Sequence, residues 1–277
     1  MTRTYEIDPP QEPSPAFLSA RMIAGRTLQS QFGLHPGADD PAKGFKWIKA
    51  EVTWPSFDHL TFGYRNKVFS VLVDLVAAGQ SSLSQREISR CTDAARESDF
   101  VPCVFSVDAA SMRPAAEGWN LLSLLDGRPV DPVRLADDRP TLMSEWELRN
   151  FAIQVVRNHI ESAGLGRLCG HCDVVGIDPQ VWFEDASGRT CWVIVRHCRR
   201  PEDHAKEEFA GFAASNAQLQ ACDGYLARVS AASGAAVLRD LDGNIIPPSR
   251  RFDGSAPLYR GGGFYVRFEG LERIHVA

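Results

Sequence analysis

A run of apolar residues at Trp192–Val195 strongly restricts what this chain can fold into. It lies in the segment Gly176–His197, which reads GIDPQVWFEDASGRTCWVIVRH. Two extended runs, Pro179–Phe183 and Thr190–Val195, flank the polar residues 184–188, and this pattern predicts a β-hairpin. The second arm is apolar without alternation, which is typical of a central strand that is covered on both faces.

Helical patterns surround this hairpin and occur in both halves of the chain. Ser144 stands three residues before Glu147, and Ser84 stands three residues before Glu87, so both pairs predict a capping box at a helix start. An apolar stripe at helical spacing follows Ser144. The predicted helices span Pro15–Phe32, Ser84–Ser98, Ser144–Ala163 and Glu202–Ala221.

The order of predicted elements recurs, because each half contains a helix, a hairpin, a second helix and a strand. The central strands are SVLVDLV (Ser70–Val76) and CWVIVRH (Cys191–His197). Later in each half comes a string of the form L-D-G-x-x-[VI]-x-P, at Leu125–Pro132 and at Leu241–Pro248. These matches indicate a duplicated unit.

We therefore expect an α/β (α+β) fold of two similar units, each a small mixed sheet flanked by helices. The proline-rich residues 129–140 are the best linker candidate. The expected organisation is a flexible N-terminal arm over residues 1–13, a first unit over 14–135 and a second unit over 141–277.

Composition narrows the function classes. The chain has 277 residues, a net charge of −5 and 44% hydrophobic residues, which suits a soluble protein and makes nucleic acid an improbable partner. No apolar run reaches the roughly 18 residues that a membrane span requires. The first residues lack the apolar core of a signal peptide, and the seven cysteines are an odd number. We expect a cytoplasmic protein with reduced cysteines and no membrane association.

The helix, hairpin, apolar strand, helix and strand of Ser144–Ser230 resemble the core of restriction-endonuclease-like folds, the PD-(D/E)xK family. In that family a helix supplies a glutamate, one strand an aspartate and the next strand Glu-x-Lys. The resemblance implies carboxylates that hold Mg²⁺ and a lysine that orients the attacking water.

The residues at the matching positions depart from that pattern. Glu145 or Glu147 stands for the helix glutamate, and Asp178 stands for the strand aspartate. The Glu-x-Lys position falls on Ile194-Val195-Arg196, which lacks the second carboxylate and has arginine in place of lysine. In the first half the corresponding residues are Leu72-Val73-Asp74. The resemblance therefore implies a degenerate scaffold in both copies.

The cysteines raise the question of a zinc site. Cys169 and Cys172 form a C-x-x-C pair, and a hairpin could bring Cys198 near them, with a histidine as fourth ligand. The spacing does not match a standard zinc ribbon or finger. The competing interpretation is that Cys191 and Cys198 are small, partly buried strand residues.

A binding surface is the remaining candidate site. Trp182 adds to the aromatic residues of the second half, and Arg196, Arg199 and Arg200 form a basic cluster. An exposed aromatic and basic patch would mark a protein interface. Ordinary core packing of the tryptophan and neutralisation by Glu202 and Asp203 are the alternatives.

Taken together, the sequence favours a non-catalytic protein-binding module of the bacterial cytoplasm, of the toxin-neutralising (immunity) or adaptor kind. We expect its partner to be another protein, and we expect no cofactor. The alternative is a metal-dependent nuclease or phosphodiesterase that uses Mg²⁺ with Glu147, Asp178 and Arg196. The oligomeric state does not follow from the sequence.

Overall fold

The structure is a computed structural model that describes residues 3–4, 13–35, 43–50, 59–172, 176–198, 209, 211 and 216–274. The chain divides into two compact units. The N-terminal unit contains Gln11–Leu142 and Tyr259–Gly261, and the C-terminal unit contains Met1–Pro10, Met143–Leu258 and Gly262–Ala277.

Both units combine strands and helices, as the sequence predicts for an α/β protein. In chain order they are β1 (Arg3–Thr4), α1 (Pro15–Leu34), β2 (Lys46–Lys49), β3 (Leu60–Tyr64), β4 (Lys67–Val76), α2 (Gln85–Ser98), β5 (Val101–Asp108), β6 (Arg113–Pro114), β7 (Leu121–Ser123), α3 (Pro132–Leu135), α4 (Glu145–Ser162), β8 (Gly166–His171), β9 (Ile177–Asp178), β10 (Val181–Asp185), β11 (Thr190–Cys198), α5 (Ala217–Gln220), β12 (Asp223–Ser233), β13 (Leu238–Arg239), β14 (Ile245–Ile246) and β15 (Phe264–Ile274).

The N-terminal unit is built on a mixed sheet with the order β2-β3-β4-β5-β6, and β7 also pairs with β5. β3 and β4 form an antiparallel hairpin, whereas β4 and β5 run parallel and are joined through α2. Such a connection places a helix over one sheet face. The other face packs against α1, which buries Ala24, Leu28 and Phe32 against sheet residues such as Phe62 and Phe105.

The C-terminal unit has a five-stranded mixed sheet with the order β15-β12-β11-β10-β8. β8, β10 and β11 form an antiparallel meander, β12 lies parallel to β11, and β15 closes the sheet antiparallel to β12. Among the described strands, β1 pairs with β9 outside this sheet. The α/β class predicted from the sequence is confirmed.

The central strand β11 is buried on both faces, as its apolar run predicts. On one face Val193 and Val195 pack with Ile153 and Val156 of α4. On the opposite face Trp192 and Ile194 belong to a second cluster. The helix is held at its start by the predicted capping box, since Ser144 accepts from the Glu147 N–H and Glu147 accepts from the Ser144 N–H.

Several elements differ from the sequence expectations. β8 carries the Cys169-Gly170-His171 segment, which the sequence analysis does not identify as a strand because glycines and charged residues interrupt its hydrophobic pattern. The predicted flexible arm contains β1, and its residues 1–2 and 5–12 lie outside the described residues. Most of the predicted helix Glu202–Ala221 also lies outside them, with α5 at its end.

A tripeptide near the C-terminus completes the N-terminal unit. Arg260 in Tyr259–Gly261 has a side chain that is only 3% exposed. Its guanidinium donates to the carbonyl of Ser98 at 2.8 Å and to the carbonyl and carboxylate of Asp99, each at 3.1 Å. Because Ser98 and Asp99 end α2, the arginine places a cation on the negative end of that helix.

Replacing Arg260 with alanine should destabilise the N-terminal unit by about 2–3 kcal/mol, because the substitution removes charge-assisted hydrogen bonds and leaves the partly buried carbonyl of Ser98 without this donor. The measurement is amide hydrogen exchange of α2 and β5 together with urea unfolding. Arg96→Ala is the matched control, since Arg96 is exposed on the same helix and pairs with Asp93. Equal unfolding midpoints for the two variants would contradict the capping role of Arg260.

Close packing at Gly224 gives a second test. A Cβ at this position would lie 2.1 Å from the ring of Trp192. That ring is held in place, because it is fully buried and its Nε1 donates to the carbonyl of Leu219 at 3.1 Å. We expect Gly224→Ala to cost about 1–3 kcal/mol by overpacking. Gly263→Ala, where no atom lies within 4 Å, serves as the control in thermal unfolding followed by near-UV circular dichroism. A Gly224→Ala protein as stable as the control would exclude this packing.

Candidate functional site

The candidate site lies where the sequence resemblance places metal-binding carboxylates, at the end of the β10–β11 hairpin. Asp178 in β9 is 4% exposed in its side chain and forms a two-pronged ion pair with Arg196 of β11. The two nitrogen–oxygen distances are 2.7 Å and 2.6 Å. Both carboxylate oxygens are therefore occupied by one guanidinium, which is the geometry that arginine favours.

Gln180 holds this ion pair in position. The residue is fully buried, and its side-chain oxygen accepts from the Val195 N–H at 2.6 Å. Its amide nitrogen donates to Asp178 at 2.5 Å and also to the carbonyl of Ile177. From α4, Arg149 donates to the same carbonyl at 2.7 Å. The backbone before β10 is thus fixed by side chains from the hairpin and from the helix.

The electrostatics of the pair favour the charged form of Asp178. Burial opposes ionisation of the carboxyl, but the hydrogen bonds and charge of Arg196, with Gln180 and Arg149, outweigh that effect and lower the pKa of Asp178 below its ordinary value. Burial lowers the pKa of Arg149, and the nearby Asp178 carboxylate opposes this by raising it. Asp178 is therefore a carboxylate whose charge is already neutralised by protein groups.

The other residues of the implied Mg²⁺ site do not supply free carboxylates around Asp178. Glu147 is buried and serves the helix start, accepting from the Ser144 N–H at 2.8 Å, whereas Glu145 is exposed. Ile194 is fully buried in the apolar cluster with Trp192. A hard divalent cation needs several oxygen ligands, and these residues do not fit one.

The predicted binding surface is only partly described. Arg196 is 20% exposed in its side chain, because it faces Asp178 and lies with its guanidinium carbon 4.8 Å from the ring centre of Phe209. It is a half-buried residue whose guanidinium is engaged in an ion pair. Trp182 is half-buried against the cluster of Trp192 and Ile194. Arg199 and Arg200 lie outside the described residues.

The three cysteines proposed as zinc ligands are not brought together. Cys169 lies on β8 and Cys198 at the end of β11, with β10 between these strands. Two strand spacings amount to about 9–10 Å, far beyond the reach of one zinc ion. Cys172 and Cys198 are buried, and the Cys198 thiol donates to the carbonyl of Arg196. Their environment fits small strand residues.

A different cluster, which the sequence analysis misses, lies at the opposite end of the sheet. Among the described residues, Asp185, Cys191 and Asp223 are the group close enough to share a metal ion. Arg189 donates to Asp185 at 2.9 Å and lies 3.3 Å from Asp223, which Arg273 also contacts. Burial, with the two aspartates, raises the pKa of Cys191 to about 11. Because the Cys191 thiol is protonated and the two carboxylates are paired with arginines, we interpret this cluster as an ion-pair network and not as a metal site.

The N-terminal unit shows a different arrangement at Asp74, the position that the sequence analysis aligns with Arg196. Asp74 of β4 is buried and accepts from the Ser82 N–H at 2.8 Å and from the Ser82 hydroxyl at 3.1 Å. The carboxylate closes the loop that follows its own strand. Asp74 therefore has a local structural role in the described part of this unit.

The Asp178–Arg196 pair predicts a specific pH dependence of stability. A carboxyl whose folded-state pKa is lowered contributes stability that is fully present above its unfolded-state pKa of about 3.9 and is lost as pH falls through the folded-state value. We expect Asp178→Asn to be less stable than the wild type at pH 6, and the difference should shrink below about pH 4. Urea unfolding across pH 2.5–7 measures it.

Glu184→Gln is the control for this experiment, because it removes an exposed carboxylate paired with Arg167 on the same sheet. Its cost should stay below about 1 kcal/mol. If the stability difference between Asp178→Asn and the wild type does not change with pH, ionised Asp178 contributes no stability.

Comparison with known proteins gives one match. Residues 146–274 match the model of a domain of unknown function, DUF8840. The matched region covers less than half of the chain and runs from α4 to the end of β15. No curated protein and no solved structure matches the chain. The C-terminal sheet with its helix α4, which carries the Asp178–Arg196 pair, is thus similar to this domain.

Proposed function

We propose that the protein is a non-catalytic protein-binding module of the bacterial cytoplasm, of the toxin-neutralising or adaptor kind, built on a degenerate restriction-endonuclease-like scaffold. The observation that carries the proposal is the Asp178–Arg196 ion pair. It occupies the site where phosphodiester chemistry needs an available carboxylate, and Ile194 fills the position of the second one. In this proposal the Asp178–Arg196 pair stabilises the hairpin.

The topology of the C-terminal unit supports the proposed scaffold. A helix, α4, is followed by the antiparallel meander β8, β10 and β11, and then by β12 parallel to β11. The resemblance implies this order with a further helix between β11 and β12, and most of the segment predicted to form that helix lies outside the described residues. Among the described helices, none has the length and hydropathy that crossing a membrane requires. A binding role in an aqueous compartment accords with that finding.

The repeated string supports an origin by duplication. Gly127 and Gly243, which share one position of the string, both have positive φ. Val130 and Ile246, at a second shared position, are both buried. A short helical turn begins at the final proline in each copy, at Pro132–Leu135 and at Pro248–Arg250. Two strings with the same local conformation are what a duplicated unit would retain.

The second copy of the string also provides the best contact surface for a partner. Leu241 and Ile245, on the β13–β14 hairpin, are 73% and 68% exposed, and Val237 is more than half exposed. Behind them, Leu238, Ile246 and Ala256 form a small buried cluster that fixes the hairpin. Exposed aliphatic side chains on a rigid support are suited to protein contacts.

The proposal predicts that purified protein, returned to a lysate of its source, retains a partner protein in a stoichiometric complex. The double variant Leu241→Ser, Ile245→Ser should weaken this complex by more than about tenfold, because burying such side chains contributes roughly 1.5–3 kcal/mol each. The measurement is calorimetric titration of the partner identified by mass spectrometry.

Leu34→Ser is the matched control, since Leu34 is 67% exposed at the end of α1 and lies in the other unit. The control should bind as tightly as the wild type. Failure to recover any stable partner would end the binding proposal, and Mg²⁺-dependent cleavage of DNA that Asp178→Asn abolishes would replace it with a nuclease.

A further inference from the structure

Each unit contains one copy of an exposed turn that begins with leucine. The stretches Leu125–Pro129 and Leu241–Ile245 are the same part of the repeated string, and we call them the first and the second leucine turn. Both lie at the end of an antiparallel pairing, since Leu122 bridges Pro129 and β13 pairs with β14. The proposed contact surface includes only the second turn.

The backbone of the two turns closes in the same way. The Ser123 N–H donates to the carbonyl of Arg128 at 2.8 Å, and the Asp240 N–H donates to the carbonyl of Asn244 at 3.0 Å. Arg128 and Asn244 occupy the same position in the string. The first turn has one more residue, Leu124, inside its hydrogen bond.

Side-chain oxygens hold both turns in shape. The Ser123 hydroxyl accepts from the Leu125 N–H at 3.2 Å, and the Asp240 carboxylate accepts from the Asp242 N–H at 3.0 Å. In each case the acceptor side chain stands two residues before the donor, as in other turns that serine and aspartate stabilise. A leucine on a turn of fixed shape loses little conformational entropy when it is bound.

Exposed and buried residues also follow the same order in both copies. All five residues of each turn are exposed, and the next residue, Val130 or Ile246, is buried. Leu125 is 67% exposed and Leu241 is 73% exposed. Each unit therefore presents a leucine to solvent beside a buried aliphatic residue that anchors the turn.

Each turn combines apolar side chains with a carboxylate. Pro129 and Ile245 share a string position and are exposed, and the leucine of each turn is followed by an exposed aspartate, Asp126 or Asp242. Asp126 lies 3.6 Å from Arg128, but both side chains are at least half exposed, and such pairs contribute little. A surface with an apolar pocket beside a lysine or arginine is complementary to this combination.

We infer that the first leucine turn is a second contact site for the same partner, so that one chain binds two copies of a protein with such a pocket. Turns of matching sequence, exposure and backbone closure offer the same groups, and a surface that fits one also fits the other. This second site rests on the proposed protein-binding function, to which it adds the number of sites and the chemistry of the surface that fits them.

The test is sedimentation velocity of the full-length protein with a saturating excess of the purified protein that the pull-down recovers. The wild type should form a complex of one chain with two partner copies. Leu125→Ser should reduce the number from two to one, and Leu241→Ser, Ile245→Ser should do the same. The variant that combines all three substitutions should bind no partner.

A charge reversal tests the chemistry of the pocket. In the Leu125→Ser variant only the second leucine turn remains, so its affinity can be titrated alone. Asp242→Lys in that background should weaken binding by more than about tenfold, because it places a cation opposite the lysine or arginine of the partner. An unchanged affinity would contradict a basic residue beside the pocket.

Leu34→Ser is the control, because Leu34 lies in the same unit as Leu125 and is also 67% exposed. It should retain two partner copies. Thermal unfolding checks that each variant is folded, and Leu125→Ala replaces Leu125→Ser if the serine disturbs the turn.

A wild-type complex with a single partner copy would overturn the second site, and so would two copies that persist in Leu125→Ser. In either case the proposed function stands if Leu241→Ser, Ile245→Ser still weakens the complex. Failure to recover any partner would overturn both.

Discussion

Burial of β11 on both faces is the constraint on which the C-terminal unit depends. Val193 and Val195 face α4, whereas Trp192 and Ile194 face the second apolar cluster. A strand that is apolar on both faces has to lie in the middle of a sheet, with partners on each side. β10 and β12 are those partners, one antiparallel and one parallel, and the parallel pairing requires a long connection between β11 and β12.

The same burial determines what the site near Asp178 can do. An apolar side chain at position 194 stabilises the core, and a carboxylate there would carry a large desolvation cost. The counter-ion of Asp178 is the guanidinium of Arg196, two residues after Ile194 on β11. The Asp178–Arg196 ion pair therefore stabilises the hairpin.

The sequence predicts the parts of the fold whose signal is local. Capping residues define the starts of α2 and α4, and the apolar run identifies β11. β8 escapes prediction because its residues alternate between glycine, charge and cysteine, and it becomes a strand only through pairing with β10. The ion pair of Asp178 is also non-local, since its partners are 18 positions apart in the chain and only the folded hairpin brings them together. The irregular pairing between β12 and β15 also leaves no pattern in the sequence.

Arg260 has a consequence for how the chain is made. The N-terminal unit contains residues 11–142, yet the cation that ends its helix α2 is encoded more than 100 residues later. During synthesis from the N-terminus, the helix end near Ser98 therefore emerges long before the arginine that completes it. The first unit reaches its final hydrogen bonding only after Arg260 has left the ribosome, so it matures after most of the second unit has been synthesised.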